Sequence, residues 1–314
     1  MTDAFPTSAV LDGGLATQLE AMGHDLSSSL WSASVLRIDP AAITAAHRSF
    51  FDAGAQVATT ATYQLTPDSL SRAGMPRADF APLLTLAVAA ARQARDEHGS
   101  GWVVGSVGPY GASRADGSEY TGAYDLPRGE EGQAILRAHH RERLVALIEA
   151  GVDALAVETL PTARELEAVV AELNSMGATT PTWFSFTPAP GGRTTRTGEP
   201  LADLAALAAA HPATLAVGVN CCPPEDVATA LTELDPAAYE LTGVAYPNSG
   251  ETWDAVARQW RGEAQWDEGA VSDWRRAGAT LIGGCCRVFP DQIARLPTDL
   301  PNNAGTGSGS AAEQ

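Results

Sequence analysis

Along the chain, short runs of β-branched and apolar residues alternate with longer Ala-, Leu-, Arg- and Glu-rich stretches whose apolar positions recur at helical spacing. The short runs predict eight strands, at 8–12, 56–61, 102–107, 154–158, 182–187, 215–220, 241–246 and 280–283. The longer stretches predict helices at 40–53, 77–98, 130–150, 162–176, 200–210, 224–234, 268–277 and 290–295. Turn residues punctuate this pattern consistently. Pro40, Pro200, Pro224 and Pro290 stand where a first-turn residue needs no N–H partner, and Asp39 stands at an N-cap position. Gly54, Gly99, Gly151, Gly177 and Gly278 follow helix ends, where a left-handed closing residue is wanted. Eight successive βα units without a domain-sized linker predict an α/β fold of one domain, a (β/α)8 TIM barrel over residues 1–300. Residues 301–314, PNNAGTGSGSAAEQ, offer no apolar anchor and are expected to form a disordered tail. Two longer inserts, 110–128 and the tryptophan-rich 247–267, are expected as loops that carry substrate contacts or cover the barrel rim.

Composition narrows the function classes. Of 314 residues, 45% are hydrophobic and only 18% charged, which suffices for one large core and excludes global disorder. Twenty Lys and Arg against 38 Asp and Glu give a net charge of −18, and no basic run is present, which argues against nucleic acid as a partner. No apolar run reaches the roughly 20 residues of a membrane span, and the N-terminus lacks a basic and apolar leader pattern. A cytoplasmic protein with reduced thiols and no membrane partner is expected.

The chemistry-bearing residues gather at the C-terminal ends of the predicted strands, the face on which such barrels place their active sites. These ends read Asp12-Gly13-Gly14, Thr59-Thr60, Glu158-Thr159, Asn220-Cys221-Cys222 and Gly283-Gly284-Cys285-Cys286. The four cysteines occur as two adjacent pairs, and both pairs fall on one mouth. Three such thiolates form a soft donor set that suits Zn²⁺ and leaves a fourth tetrahedral position open. Burial of the cysteines as small hydrophobes is the alternative, with a strained vicinal disulfide behind it. A centre with three thiolate ligands is a poor activator of water but a good station for a substrate thiolate, so the expected reaction transfers a group to sulfur. Asp12 and Glu158 suit a general acid and base, a divalent-ion site, or a grip on a substrate ammonium. None of the six histidines falls at a strand end, which favours the ammonium grip. Backbone amides at Gly13 and Gly14 are candidates to face a carboxylate. Together these features describe a thiol-bearing amino acid as substrate. Two competing readings stand beside this one: a divalent-metal barrel hydrolase or lyase using Asp12 and Glu158, and a non-enzymatic thiol sensor of zinc or oxidants.

Taken with their neighbours, these residues resemble the homocysteine S-methyltransferase family over residues 11–293. The resemblance is carried by LDGGLATQLE, SLWSASVL, GAQVATTATYQ, GSVGPYGASRADGSEYTG, ETLP, WFSFT, GVNC, YPNSGE and LIGGCCR. It implies a (β/α)8 barrel that holds Zn²⁺ through Cys221, Cys285 and Cys286 and activates homocysteine for attack on a donor methyl group. Strand alternation does not choose between Cys221 and Cys222; the resemblance chooses Cys221 and leaves Cys222 to packing. It also implies that Asp12 and Glu158 hold the substrate amino group, that Gly13 and Gly14 face its carboxylate, and that Asn220 and Thr60 touch it. The stretches around 105–122 and 246–251 are similar to the branch using S-methylmethionine or, less effectively, S-adenosylmethionine. Thr159 stands where the betaine branch has Tyr. A sulfonium donor suits an aromatic mouth, with Tyr110, Tyr120 and Tyr124 as possible contacts. Some relatives accept selenocysteine or another thiol or selenol instead of homocysteine.

Overall fold

The computed structural model describes residues 4–26, 32–254, 259–262 and 268–297. The expected tail at 301–314 lies outside the described residues, as do part of the SLWSASVL stretch and the tryptophan side chains of the 247–267 insert. Strands β1 (Ala9–Val10), β2 (Val57–Thr59), β3 (Trp102–Val107), β4 (Ala154–Leu160), β5 (Thr182–Phe186), β6 (Thr214–Asn220) and β7 (Thr242–Tyr246) precede a small antiparallel hairpin, β8 (Thr252–Asp254) with β9 (Gln259–Arg261). Strand β10 (Ala279–Ile282) completes a parallel eight-stranded sheet in the order β1-β10-β7-β6-β5-β4-β3-β2. Its two edges meet through a parallel bridge between Leu11 and Val57. Gln56 reinforces that seam: its N–H donates to the Val10 carbonyl at 2.8 Å, and its side-chain oxygen accepts the Val10 N–H at 3.0 Å. The sheet is thereby closed into the expected barrel.

Helices α3 (Pro40–Asp52), α5 (Phe80–His98), α6 (Glu130–Glu149), α7 (Ala163–Met176), α8 (Ala202–Ala209), α9 (Pro224–Leu234), α10 (Glu268–Arg276) and α11 (Pro290–Ile293) match the eight expected helical stretches. Asp39 caps α3 by accepting the Ala42 N–H, and the five glycines expected to close helices all adopt positive φ. Pro200 departs from expectation, because α8 starts two residues later and Pro200 bridges Thr194 instead. Three short helices were not expected: α1 (Leu15–Ala21), α2 (Ser32–Ile38) and α4 (Pro67–Arg72). Helix α1 has seven residues and a glycine N-cap with no capping side chain, so it lacks the usual sequence signal. Among the described residues, no helix is long and apolar enough to cross a membrane.

Period-two alternation builds the barrel's two faces. Outward strand residues such as Val103, Leu155 and Val217 join the helices in one hydrophobic core. Inward residues, including Val104, Ala156, Trp183, Ala216, Val244 and Leu281, fill the barrel itself. Continuing the inward columns toward the C-terminal strand ends gives Thr59, Ser106, Glu158, Ser185, Asn220 and Tyr246. The apolar plug therefore gives way, at the C-terminal rim, to a layer of polar side chains.

A buried polar knot fixes the 110–128 insert over that rim. Glu165 on α7 is fully buried and accepts hydrogen bonds from the Tyr110 N–H, from the Tyr124 hydroxyl at 2.6 Å and from His140 Nε2 at 2.8 Å. Burial holds the His140 pKa below the usual imidazole value, so the ring is neutral, with its proton on Nε2 and Nδ1 facing Arg143 at 3.4 Å. Arg143, also buried, donates to the carbonyls of Tyr63 and Gly108 and so joins the β2 and β3 loops. Truncating Glu165 to Ala strands three donors, the fully buried His140 among them, and is expected to destabilise the protein by about 3 kcal/mol. A lowered urea midpoint, with faster hydrogen exchange across 110–124, is the expected result; an unchanged midpoint would contradict the role of this knot.

Candidate active site

The first cysteine pair is split by one backbone conformation. Asn220 ends β6 pointing inward, so plain alternation would turn Cys221 outward and Cys222 inward. Cys221 instead adopts a left-handed φ of 49°, which breaks the alternation. Its N–H donates to the Tyr246 carbonyl at 3.3 Å, and its carbonyl accepts from the Thr187 hydroxyl at 3.2 Å, so both neighbouring strands hold this uncommon geometry. The structure consequently places the Cys221 thiol on a cavity at the barrel mouth and buries Cys222 fully among core residues.

The second pair sits on the turn after β10, which is tied to its surroundings mainly by backbone groups. Cys285 N–H donates to the Pro247 carbonyl at 2.8 Å, and Cys286 N–H donates to Asn248 Oδ1 at 3.2 Å. The N–H of Ser249 donates to the Cys286 carbonyl, and that of Asn248 to the Cys222 carbonyl. The β7 loop thus clasps both cysteine-bearing segments. On the other side, Gly284 N–H donates to the Asp12 carbonyl and Gly14 N–H to the Val288 carbonyl, each at 3.0 Å. A β-carbon at Gly14 would lie 2.6 Å from the Cys285 carbonyl, so glycine is required for this approach.

These ties bring three sulfurs together. Cys221 Sγ lies 2.7 Å from Cys285 Sγ and 3.8 Å from Cys286 Sγ, and the latter two are 3.9 Å apart. All four cysteines are free thiols. With metal–sulfur bonds of about 2.3 Å, a tetrahedral site has sulfur–sulfur edges of about 3.8 Å, and two of the three edges match. The donor set therefore fits a soft metal ion with an open fourth position. Among the described residues this is the one set of three or more Cys, His, Asp or Glu side chains gathered closely enough to ligate an ion. Asp12 and Glu158 are not members of this set.

The same cavity, of about 130 Å³, is lined by Asp12, Gly13, Gly14, Thr60, Glu158 and Asn220. Asp12 is buried and accepts from the Thr59 N–H at 2.7 Å and the Thr59 hydroxyl at 2.9 Å. Glu158 is buried and accepts from the Ser106 hydroxyl. Burial pushes the pKa of each carboxyl up to about 7, against the opposing pull of these hydrogen bonds. Thr60 and Asn220 line the wall, yet their polar atoms are already engaged. Thr60 Oγ1 accepts the Ser106 N–H at 3.0 Å and lies 2.7 Å from the Thr62 hydroxyl. Asn220 accepts from the Thr159 N–H and the Ser185 hydroxyl and donates to the Thr159 hydroxyl, each at 2.8 Å, which stabilises Thr159 at a left-handed φ of 61°. Gly14 also departs from expectation: its N–H is bonded to Val288 and is not free to face a ligand. Thr59 and Ser106 fall at strand ends in the sequence, but their part as hydrogen-bond partners of Asp12 and Glu158 is set by the inward column of each strand. Tyr120 approaches the thiols, its hydroxyl 4.0 Å from Cys221 Sγ, whereas Tyr110 and Tyr124 meet edge to face outside the cavity.

Comparison with known proteins places this geometry in context. The family model described as homocysteine S-methyltransferase matches residues 9–300. A homocysteine S-methyltransferase of Escherichia coli (strain K12) is 44% identical over 298 residues, covering 91% of this chain and 93% of that protein. One from Bacillus subtilis (strain 168), YbgG, is 39% identical over 306 residues, covering 94% of each. The metallated form of the Escherichia coli homocysteine methyltransferase MmuM superimposes with a TM-score of 0.80 at 39% identity, covering 92% of this chain and 94% of that one. With a match that runs through all eight barrel strands and both cysteine pairs, the chain belongs to the homocysteine S-methyltransferase family.

Proposed function

We propose that the protein methylates the thiol of homocysteine to form methionine, taking the methyl group from a sulfonium donor, S-methylmethionine or less effectively S-adenosylmethionine. The observation that carries this reading is the convergence of Cys221, Cys285 and Cys286 on a cavity that also holds two buried carboxyl groups. Zn²⁺ held by those three residues would supply a fourth position at which a substrate thiol ionises at neutral pH and stays nucleophilic.

The chain's own residues select and orient the acceptor. Asp12 and Glu158 face the cavity from β1 and β4, immobilised by Thr59 and Ser106, and take the substrate ammonium between them. Thr60 and Asn220 act behind them, as positioning residues for Ser106 and Thr159. The substrate carboxylate falls to the first turn of α1: Gly14 has no side chain to cap it, so the N–H groups of Leu15 and Ala16 on the cavity wall are the donors. Gly13 and Gly14 contribute by lacking side chains, letting this turn pack against the Val288 and Cys285 carbonyls.

In the reaction the homocysteine sulfur, as thiolate, bonds to the donor methyl carbon. The old carbon–sulfur bond breaks, and its electron pair returns to the donor sulfur. A negative and a positive charge are both consumed, so the transition state is less charged than the reactants. A buried, water-poor cavity favours such a change over bulk water.

Protein purified under reducing conditions is expected to bind about one zinc per chain, and Cys285→Ser to lose both the metal and more than about 99% of turnover. With S-methylmethionine each homocysteine consumed must yield two methionines, since the demethylated donor is itself methionine; with S-adenosylmethionine the yield is one. Full activity in metal-free protein, or no methionine from either donor, would refute the reading. A second expectation concerns pH. The ammonium grip needs ionised carboxylates, and both pKa values stand near 7, so lowering the pH from 8 to 6 neutralises them. The kcat/KM for homocysteine should fall by about tenfold or more across that range, and Asp12→Asn should flatten part of the profile while leaving zinc content intact. A pH-independent kcat/KM would remove Asp12 and Glu158 from substrate binding.

A further inference from the structure

Thr159 and Cys221 are not the only residues near the thiols held at a left-handed φ. Arg287, with φ of 64°, directly follows the second cysteine pair. That conformation suits glycine and costs any other residue, so an arginine there implies work for its side chain. Its guanidinium is forked onto Glu251 of the β7 loop: Nε donates to Oε2 at 3.0 Å and Nη2 to Oε1 at 3.5 Å. The Glu251 carboxylate is only 13% exposed and also accepts the Ser249 hydroxyl at 2.9 Å. The Phe289 ring supports the cation, its centroid 5.5 Å from the guanidinium carbon. Glu251 and Arg287 end the YPNSGE and LIGGCCR stretches, and neither lines the cavity.

Arg287 stands where three segments of the barrel mouth meet. Its peptide bond joins Cys286, its side chain reaches the β7 loop, and its N–H donates to Thr17 Oγ1 of α1 at 2.9 Å. The ion pair and the backbone clasp also share one residue. Ser249 is fully buried; its N–H donates to the Cys286 carbonyl at 3.1 Å while its hydroxyl donates to Glu251. A displaced Glu251 therefore loosens the loop that sets Cys286. A partly exposed ion pair adds little to the stability of a fold, because solvent screens it. A forked pair that braces a metal-ligating turn acts instead on metal affinity, where partners behind the ligands are worth tenfold to a hundredfold.

We infer that Glu251 and Arg287 are positioning residues for the metal centre, a latch that holds Cys285 and Cys286 in place against Cys221. This rests on the reading above that these three cysteines hold zinc. The test uses the full chain under reducing conditions as wild type, Arg287→Gly, Glu251→Gln and the double variant. Arg287→Gly removes the latch while relieving the backbone torsion, and Glu251→Gln is nearly isosteric, so both keep the fold. Competition with a chromophoric chelator gives the zinc Kd, and urea unfolding of the metal-free proteins reads the fold separately. Each single variant is expected to raise the zinc Kd by about tenfold, with a metal-free urea midpoint close to wild type. The double variant should be about as impaired as the weaker single, since both changes remove one interaction. If either single variant leaves the zinc Kd unchanged, if the penalties multiply in the double, or if the Kd rises only where the metal-free midpoint collapses, the latch is overturned and the zinc reading stands. If wild type itself binds no zinc, that reading fails and the latch with it.

Discussion

Three thiols gathered within 3.9 Å of one another at one rim of a barrel are the constraint on which the rest of the site depends. Strands β6 and β10, which deliver them, are not neighbours, since β7 lies between. The geometry is therefore carried by what spans that gap. Pro247, Asn248 and Ser249 bond to both cysteine-bearing segments, the left-handed turn at Cys221 rotates one thiol into the cavity, and Gly14 permits the β1 loop to close from the other side. Separately ionised sulfurs at such distances repel, so the arrangement is compatible with thiolates only where a cation shares their charge.

The two carboxyl groups follow the same logic of deferred satisfaction. Asp12 and Glu158 are fixed by hydrogen bonds but buried enough that their protonated forms are favoured up to about pH 7. A raised native pKa means the folded protein binds more protons than the unfolded chain between roughly pH 4 and 7. Stability therefore declines as pH rises through that window.

Much of this was legible in the sequence, because it depends on periodicity and on chemistry at strand ends. Alternation located all eight barrel strands, and the residues ending them were the ones that line the cavity. What escaped were features set by single backbone torsions or by partners distant along the chain. Alternation could not say whether Cys221 or Cys222 faces the mouth, since the left-handed residue that decides it is not a glycine. Thr60 and Asn220 line the cavity, but their side chains are committed to Ser106 and Thr159, which only the folded hydrogen-bond network shows. Helix α1 was hard to read because its N-cap is a glycine with no capping side chain.

X-ray absorption at the zinc edge tests the central claim most directly, by counting sulfur ligands in the reduced, zinc-loaded protein before and after homocysteine is added. The account predicts three sulfurs at about 2.3 Å with one lighter ligand, becoming four sulfurs when homocysteine binds. Coordination that lacks the three sulfurs, or a sulfur count that does not rise with homocysteine, would contradict it.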